Sequence, residues 1–221
     1  MKQQSFQVAF FLQPELSNER IYSLYQNINK KLINKFDDMP IINPANRQFF
    51  APIIQTRSKD TKWLLNLSSN RTDLIVDTKT ESCFPEVFFD ENRELLKYYF
   101  NAVKEEASVI RCGFVFNLFK QEKNNVQKIY NKYLNSKKYC EKCIEVLIQT
   151  NERIQNKLFP LDINDIITIE AVSNPAQGIR IQIDINNVPL IDEKCFTEQL
   201  FDDLLLIIRK EISSKKLEEI I

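Results

Sequence analysis

The chain has 221 residues, 30 basic and 30 acidic, and no histidine. Without imidazole there is no Ser-His-Asp or Cys-His relay and no His-ligated zinc. With Gly113 and Gly178 as its only glycines, it has no glycine-rich phosphate loop. A formal net charge of zero argues against a basic footprint over the whole surface, while leaving room for a local patch.

The chain opens with an alternating run, Phe6, Val8, Phe10 and Leu12, which predicts a half-buried strand ending at Pro14. Ser17 or Asn18 caps the next segment, where Ile21, Leu24, Tyr25, Ile28, Leu32 and Phe36 recur at helical spacing. Pro40, Pro44 and Pro52 mark an irregular crossing. Trp63–Leu67 and Leu74–Val76 alternate around a turn at Ser68–Thr72, which predicts a hairpin. Asp90 is the expected N-cap of a second helix through Ala107.

The apolar run Val109–Phe119 predicts a central strand, Asn124–Ser136 a third helix and Cys143–Thr150 a further strand. Ile166–Val172 and Ile179–Ile185 predict a second hairpin, and residues 196–212 a long closing helix. The expected fold is α+β, antiparallel strands with helices packed on one face. Two ferredoxin-like halves, 1–136 and 137–221, are one arrangement; a single continuous domain is the other.

The segments WLLNLSSNR at 63–71, RCGFVFN at 111–117 and IQIDIN at 181–186 resemble a sporadically distributed bacterial family with no assigned activity. The resemblance implies a shared α+β architecture. It also suggests a place among mobile or anti-phage defence gene clusters, with the protein as an accessory subunit.

Candidate chemistry is sparse. Cys140 and Cys143 form the only CxxC, without the helix N-terminus of a redox site or two further zinc ligands. The five cysteines are an odd, scattered set, a poor disulfide framework that fits a reducing compartment. No stretch approaches the roughly 18 apolar residues of a membrane span, so the expected location is cytoplasmic, away from membranes. No cofactor and no resident metal are expected. A magnesium-dependent hydrolase built on Asp184, Asp162 or Glu170 is the weakest reading.

Two readings remain, and neither is enzymatic. In the favoured one the protein binds a partner or itself. Leu204–Ile208 are apolar around the whole helix, so Leu205 and Leu206, with the terminal Ile220 and Ile221, are the interface candidates. In the alternative, a sheet face carrying Arg71, Arg111, Asn117, Arg180, Gln182 and Asp184 binds a nucleotide or nucleic acid. On period two, Arg111 and Asn117 share a face with Val109, Gly113, Val115 and Phe119, and Gly113 suggests a bulge or close backbone approach.

Overall fold

The computed structural model describes residues 2–33, 35–36, 40–42, 52–78, 85–134, 145–155, 161–173, 176–190 and 195–214. Nine strands form one antiparallel sheet: β1 (Lys2–Gln13), β2 (Ile41–Ile42), β3 (Ile54–Arg57), β4 (Trp63–Leu67), β5 (Arg71–Asp77), β6 (Ser108–Gln121), β7 (Leu147–Gln155), β8 (Asp162–Val172) and β9 (Gly178–Asn187). Their spatial order is β2-β3-β4-β5-β1-β6-β9-β8-β7. Four helices pack against it: α1 (Asn18–Lys31), α2 (Pro85–Glu106), α3 (Asn125–Tyr133) and α4 (Glu198–Ser214).

The N-terminal elements β1-α1-β4-β5-α2-β6 make a ferredoxin-like βαββαβ unit, with β1 central between β5 and β6. The short β2–β3 hairpin is inserted before β4 and extends that edge. Among the described residues, the C-terminal half shows no second such unit. It contributes a meander, β9-β8-β7, which pairs onto β6 through Gly113–Gln121 opposite Gly178–Asn186. The sheet therefore runs unbroken from β2 to β7.

The covered face is apolar and continuous. Phe10 of β1 stacks on Tyr99 of α2 at 4.9 Å, and Phe201 of α4 stacks on Phe100 of α2 at 4.2 Å. Phe201 also meets Phe10 edge-on at 5.6 Å, so four aromatic residues tie both helices to the central strand. The buried Tyr99 hydroxyl is satisfied by Thr72 at 2.6 Å. Ion pairs line the outer α2–α4 seam at every seventh residue of α2: Asp90–Arg209, Lys97–Asp202 and Lys104–Glu198. The Asn125 side chain of α3 donates to the Val172 and Gly178 carbonyls, fastening the mouth of the β8–β9 hairpin.

Several boundaries differ from those expected. α1 ends at Lys31 rather than Phe36; Ile33 takes a positive φ of 57°, which breaks the helix, and Phe36 instead bridges to Ser58. Helix α2 begins five residues before Asp90, with Pro85 at its first position, where a missing N–H costs nothing. The stretch around Pro52 carries β3. The strand expected at Cys143–Thr150 lies later, at Leu147–Gln155. No helix of the described residues is long and apolar enough to cross a membrane.

A bulge in β6 corrects the face assignment. Phe11 pairs with Arg111 but Leu12 with Val109, leaving Ile110 as the extra residue. Val109 and Cys112 therefore both point into the core, and Val109 does not share the Arg111 face. The Ile110 carbonyl freed by the bulge accepts the Leu190 N–H at 3.0 Å, and the Cys112 N–H donates to the Asn187 side chain at 2.6 Å.

Candidate ligand trough on the open sheet face

Antiparallel sheets tolerate one face in water when side chains alternate. Here β9 alternates cleanly: Ile179, Ile181, Ile183 and Ile185 are buried, while Arg180 and Gln182 are exposed. Direct cross-strand partners share a face, so register extends the outer surface to neighbouring strands. Gln182 lies beside Asn117, Asn117 beside Ser5, and Ser5 beside Asp77. A bulge at Gln4 presents one more amide at this end of β1.

These residues floor a trough of about 410 Å³, within the range of small-ligand sites. Its lining comes from β3 (Arg57), β4 with the residue before it (Leu64, Lys62), β5 (Ile75, Asp77), β1 (Gln4, Ser5), β6 (Asn117) and β9 (Arg180, Gln182). Those are six adjacent strands, so the trough crosses the sheet and spans about 24 Å at ordinary strand spacing.

Its floor is hydrogen-bonded. Gln182 donates to the Asn117 carbonyl oxygen at 3.1 Å, and the Asn117 amide donates to Ser5 Oγ at 2.9 Å. Cations stand at both ends, Arg57 and Lys62 at one and Arg180 at the other. Arg180 reaches Glu170 at 3.0 Å across an exposed pair, which is worth little in water. Among the described residues, the lining therefore carries three positive charges, Arg57, Lys62 and Arg180, and one carboxylate, Asp77. Between them Leu64 and Ile75 give an apolar middle.

The six residues expected on an Arg-bearing face all lie on this open side, but in two groups. Asn117, Arg180 and Gln182 line the trough. Asp184 lies two residues beyond Gln182 on β9, and Arg71 and Arg111 lie some six residues further along β1, about 20 Å away. There Phe11 stands between two guanidiniums, Arg71 and Arg111, each 5.0 Å from its ring centroid. Arg71 is held by Asp73 at 2.7 Å, and Gln7 donates to the same carboxylate. Arg111 donates to Asn186, whose amide donates to Asp184. Arg71 and Asp184 are thus committed to neighbours, while Arg111 rests on a neutral amide.

Sequence reading missed Arg57, Lys62, Gln4, Ser5, Leu64, Ile75 and Asp77. Alternation within β4 and β5 was the available signal, since Leu64 and Ile75 are the outward positions between Trp63, Leu65, Leu74 and Val76. The expected close backbone approach falls at Gly178 rather than Gly113. A Cβ on Gly178 would collide with the Phe119 ring and lie 2.5 Å from the Lys120 carbonyl, whereas one on Gly113 meets Asn186 at 3.6 Å, an ordinary contact.

The interface candidates also change. Leu205 is fully buried with Leu204 and Ile208, so that side of α4 is packed within its own chain. Leu206 is 53% exposed; Ile220 and Ile221 lie outside the described residues. Cys112 is buried and Cys195 exposed, while Cys140 and Cys143 of the CxxC lie outside the described residues. Among the described residues, no three His, Cys, Asp or Glu side chains gather closely enough to hold a metal ion.

Fold and trough together define an α+β protein with one helix-covered and one open sheet face. The chain matches no family model and no curated protein.

Proposed function

We propose that the protein is a binding module whose open sheet face takes an extended phosphate-bearing ligand, of the class of a short single-stranded nucleic acid. The supporting observation is the trough itself: cations at both ends, an apolar middle and a floor of side-chain amides. Phosphates would sit at Arg57, Lys62 and Arg180. Amides such as Gln182 and Gln4 offer both donors and acceptors, which suits the edges of unpaired bases. A ligand of this reach is some three or four nucleotides long, and with zero net charge on the chain the attraction must come from local patches such as the trough.

The test is fluorescence anisotropy with a labelled single-stranded octanucleotide, titrated from about 50 mM salt upward. Three phosphate contacts give log K falling against log salt with a slope near −2. Arg57→Ala and Arg180→Ala should each weaken binding several-fold and flatten that slope by about 0.7, with the melting temperature unchanged. Absence of binding at the lowest salt, or a slope indifferent to both substitutions, overturns the reading.

A further inference from the structure

The two edges of the sheet are unlike. One ends in β2, a strand of two residues, too short to template further pairing. The other ends in β7, nine residues long, which among the described residues pairs only with β8. Seven of those nine are exposed, Leu147 at 61%. Natural sheets protect such edges with proline, lysine, bulges or a covering element. The β7 sequence LIQTNERIQ has no proline and no lysine, carries one charge of each sign at Glu152 and Arg153, and keeps an unbroken register with β8 from Leu147 to Gln155.

We propose that this edge is where a second copy of the chain pairs, antiparallel, about a two-fold axis at Asn151. The register follows from the strand. A two-fold normal to the sheet sets residue i opposite residue j with a fixed sum, and side chains stay on their own face only when that sum is even. Centring on Asn151 pairs all nine residues. On the helix side Ile148 meets the partner's Ile154, and Thr150 meets the partner's Glu152. On the open side Gln149 meets the partner's Arg153, and Asn151 meets its own copy. Ile148 and Ile154 already pack against the core, so each pair carries that core across the junction.

Neighbouring registers are worse. Moving the axis to Glu152 opposes two carboxylates, and moving it to Arg153 opposes two guanidiniums; like charges directly opposite destabilise a sheet. Moving it to Thr150 sets Ile148 against a carboxylate. Only the central register pairs the full strand without a like-charge contact. The same axis keeps both open faces on one side of an eighteen-stranded sheet, so the assembly presents two troughs to one ligand surface.

Sedimentation equilibrium of the full chain tests this, with variants on exposed β7 positions. The parent should dimerise reversibly at micromolar to tens of micromolar concentration. Asn151→Lys, which sets two ammonium groups face to face, should weaken the dimer at least ten-fold without altering the far-UV spectrum or melting temperature. Thr150→Lys, placed opposite the partner's Glu152, should tighten it. Asn151→Cys should form an intersubunit disulfide under mild oxidation beyond the parent's background, because self-opposed residues on paired strands lie within bridging distance. Gln155→Cys, which faces the partner's Leu147, should not. A parent that stays monomeric at about 100 µM overturns the proposal. So does a dimer indifferent to Asn151→Lys, or cross-linking that favours Gln155→Cys.

Discussion

The two faces of the sheet obey different rules, though each strand contributes to both. The covered face is a jigsaw of large side chains in which buried polar atoms need partners; Tyr99 and Thr72 satisfy one another there, while the buried Gln3 amide has no hydrogen-bond partner among the described residues. The open face mixes Phe11, Leu64, Ile75 and Val115 with amides and paired charges, and solvent supplies what neighbours do not. Substitutions on the covered face therefore act on stability. On the open face they act on stability only where backbones or rings come close, and elsewhere on binding.

The largest expected effect comes from stripping part of the covered face. Ending the chain before Phe196 removes Phe196, Phe201, Leu204, Leu205, Ile208 and Ile212, all essentially inaccessible. At about 1.5–3 kcal/mol for each buried side chain, the loss rivals the roughly 5–15 kcal/mol stability of a whole domain. The truncated protein should be insoluble. Cooperative melting of a soluble truncation would show that α4 is an appendage.

Alkali probes the same face more gently. Burial pushes the Cys112 thiol and the Tyr99 phenol well above their ordinary values of 9.0 and 10.0. The folded chain keeps both protons at a pH where the unfolded chain has released them, so stability falls as pH rises. Each group contributes about 1.4 kcal/mol per pH unit above its ordinary value. The slope should steepen near pH 10, where the phenol joins the thiol. Urea unfolding from about pH 8 to pH 11 measures it, and an unchanged midpoint would mean that one or both groups reach water.

The smallest effect separates two glycines, both on the open face. Gly178→Ala drives a methyl into Phe119 and the Lys120 carbonyl and should cost about 1–3 kcal/mol. Gly113→Ala meets only an ordinary contact with Asn186 and should leave stability unchanged or raise it by up to about 1 kcal/mol. Equal melting temperatures for the two variants would remove the close approach at Gly178 from the account of this face.

Much of this was legible in the amino-acid order. Alternation in β1, β6 and β9, and helical spacing in α1 and α4, report burial directly, because a side chain's face follows from its position along one element. The α+β class follows from that order of elements, and so does the placing of Arg180 and Gln182 on one outward face. What tertiary structure alone decided are the relations between elements. A single extra residue, Ile110, turned Val109 from the outer face to the inner. Packing within the chain buried Leu205, which an isolated amphipathic stripe would have left outside. The trough joins Arg57 to Arg180, cations far apart in sequence, because β1 and β6 bring the two ends of the sheet together. Local order reports which side of an element meets the core; only the packed sheet determines which outward side chains become neighbours.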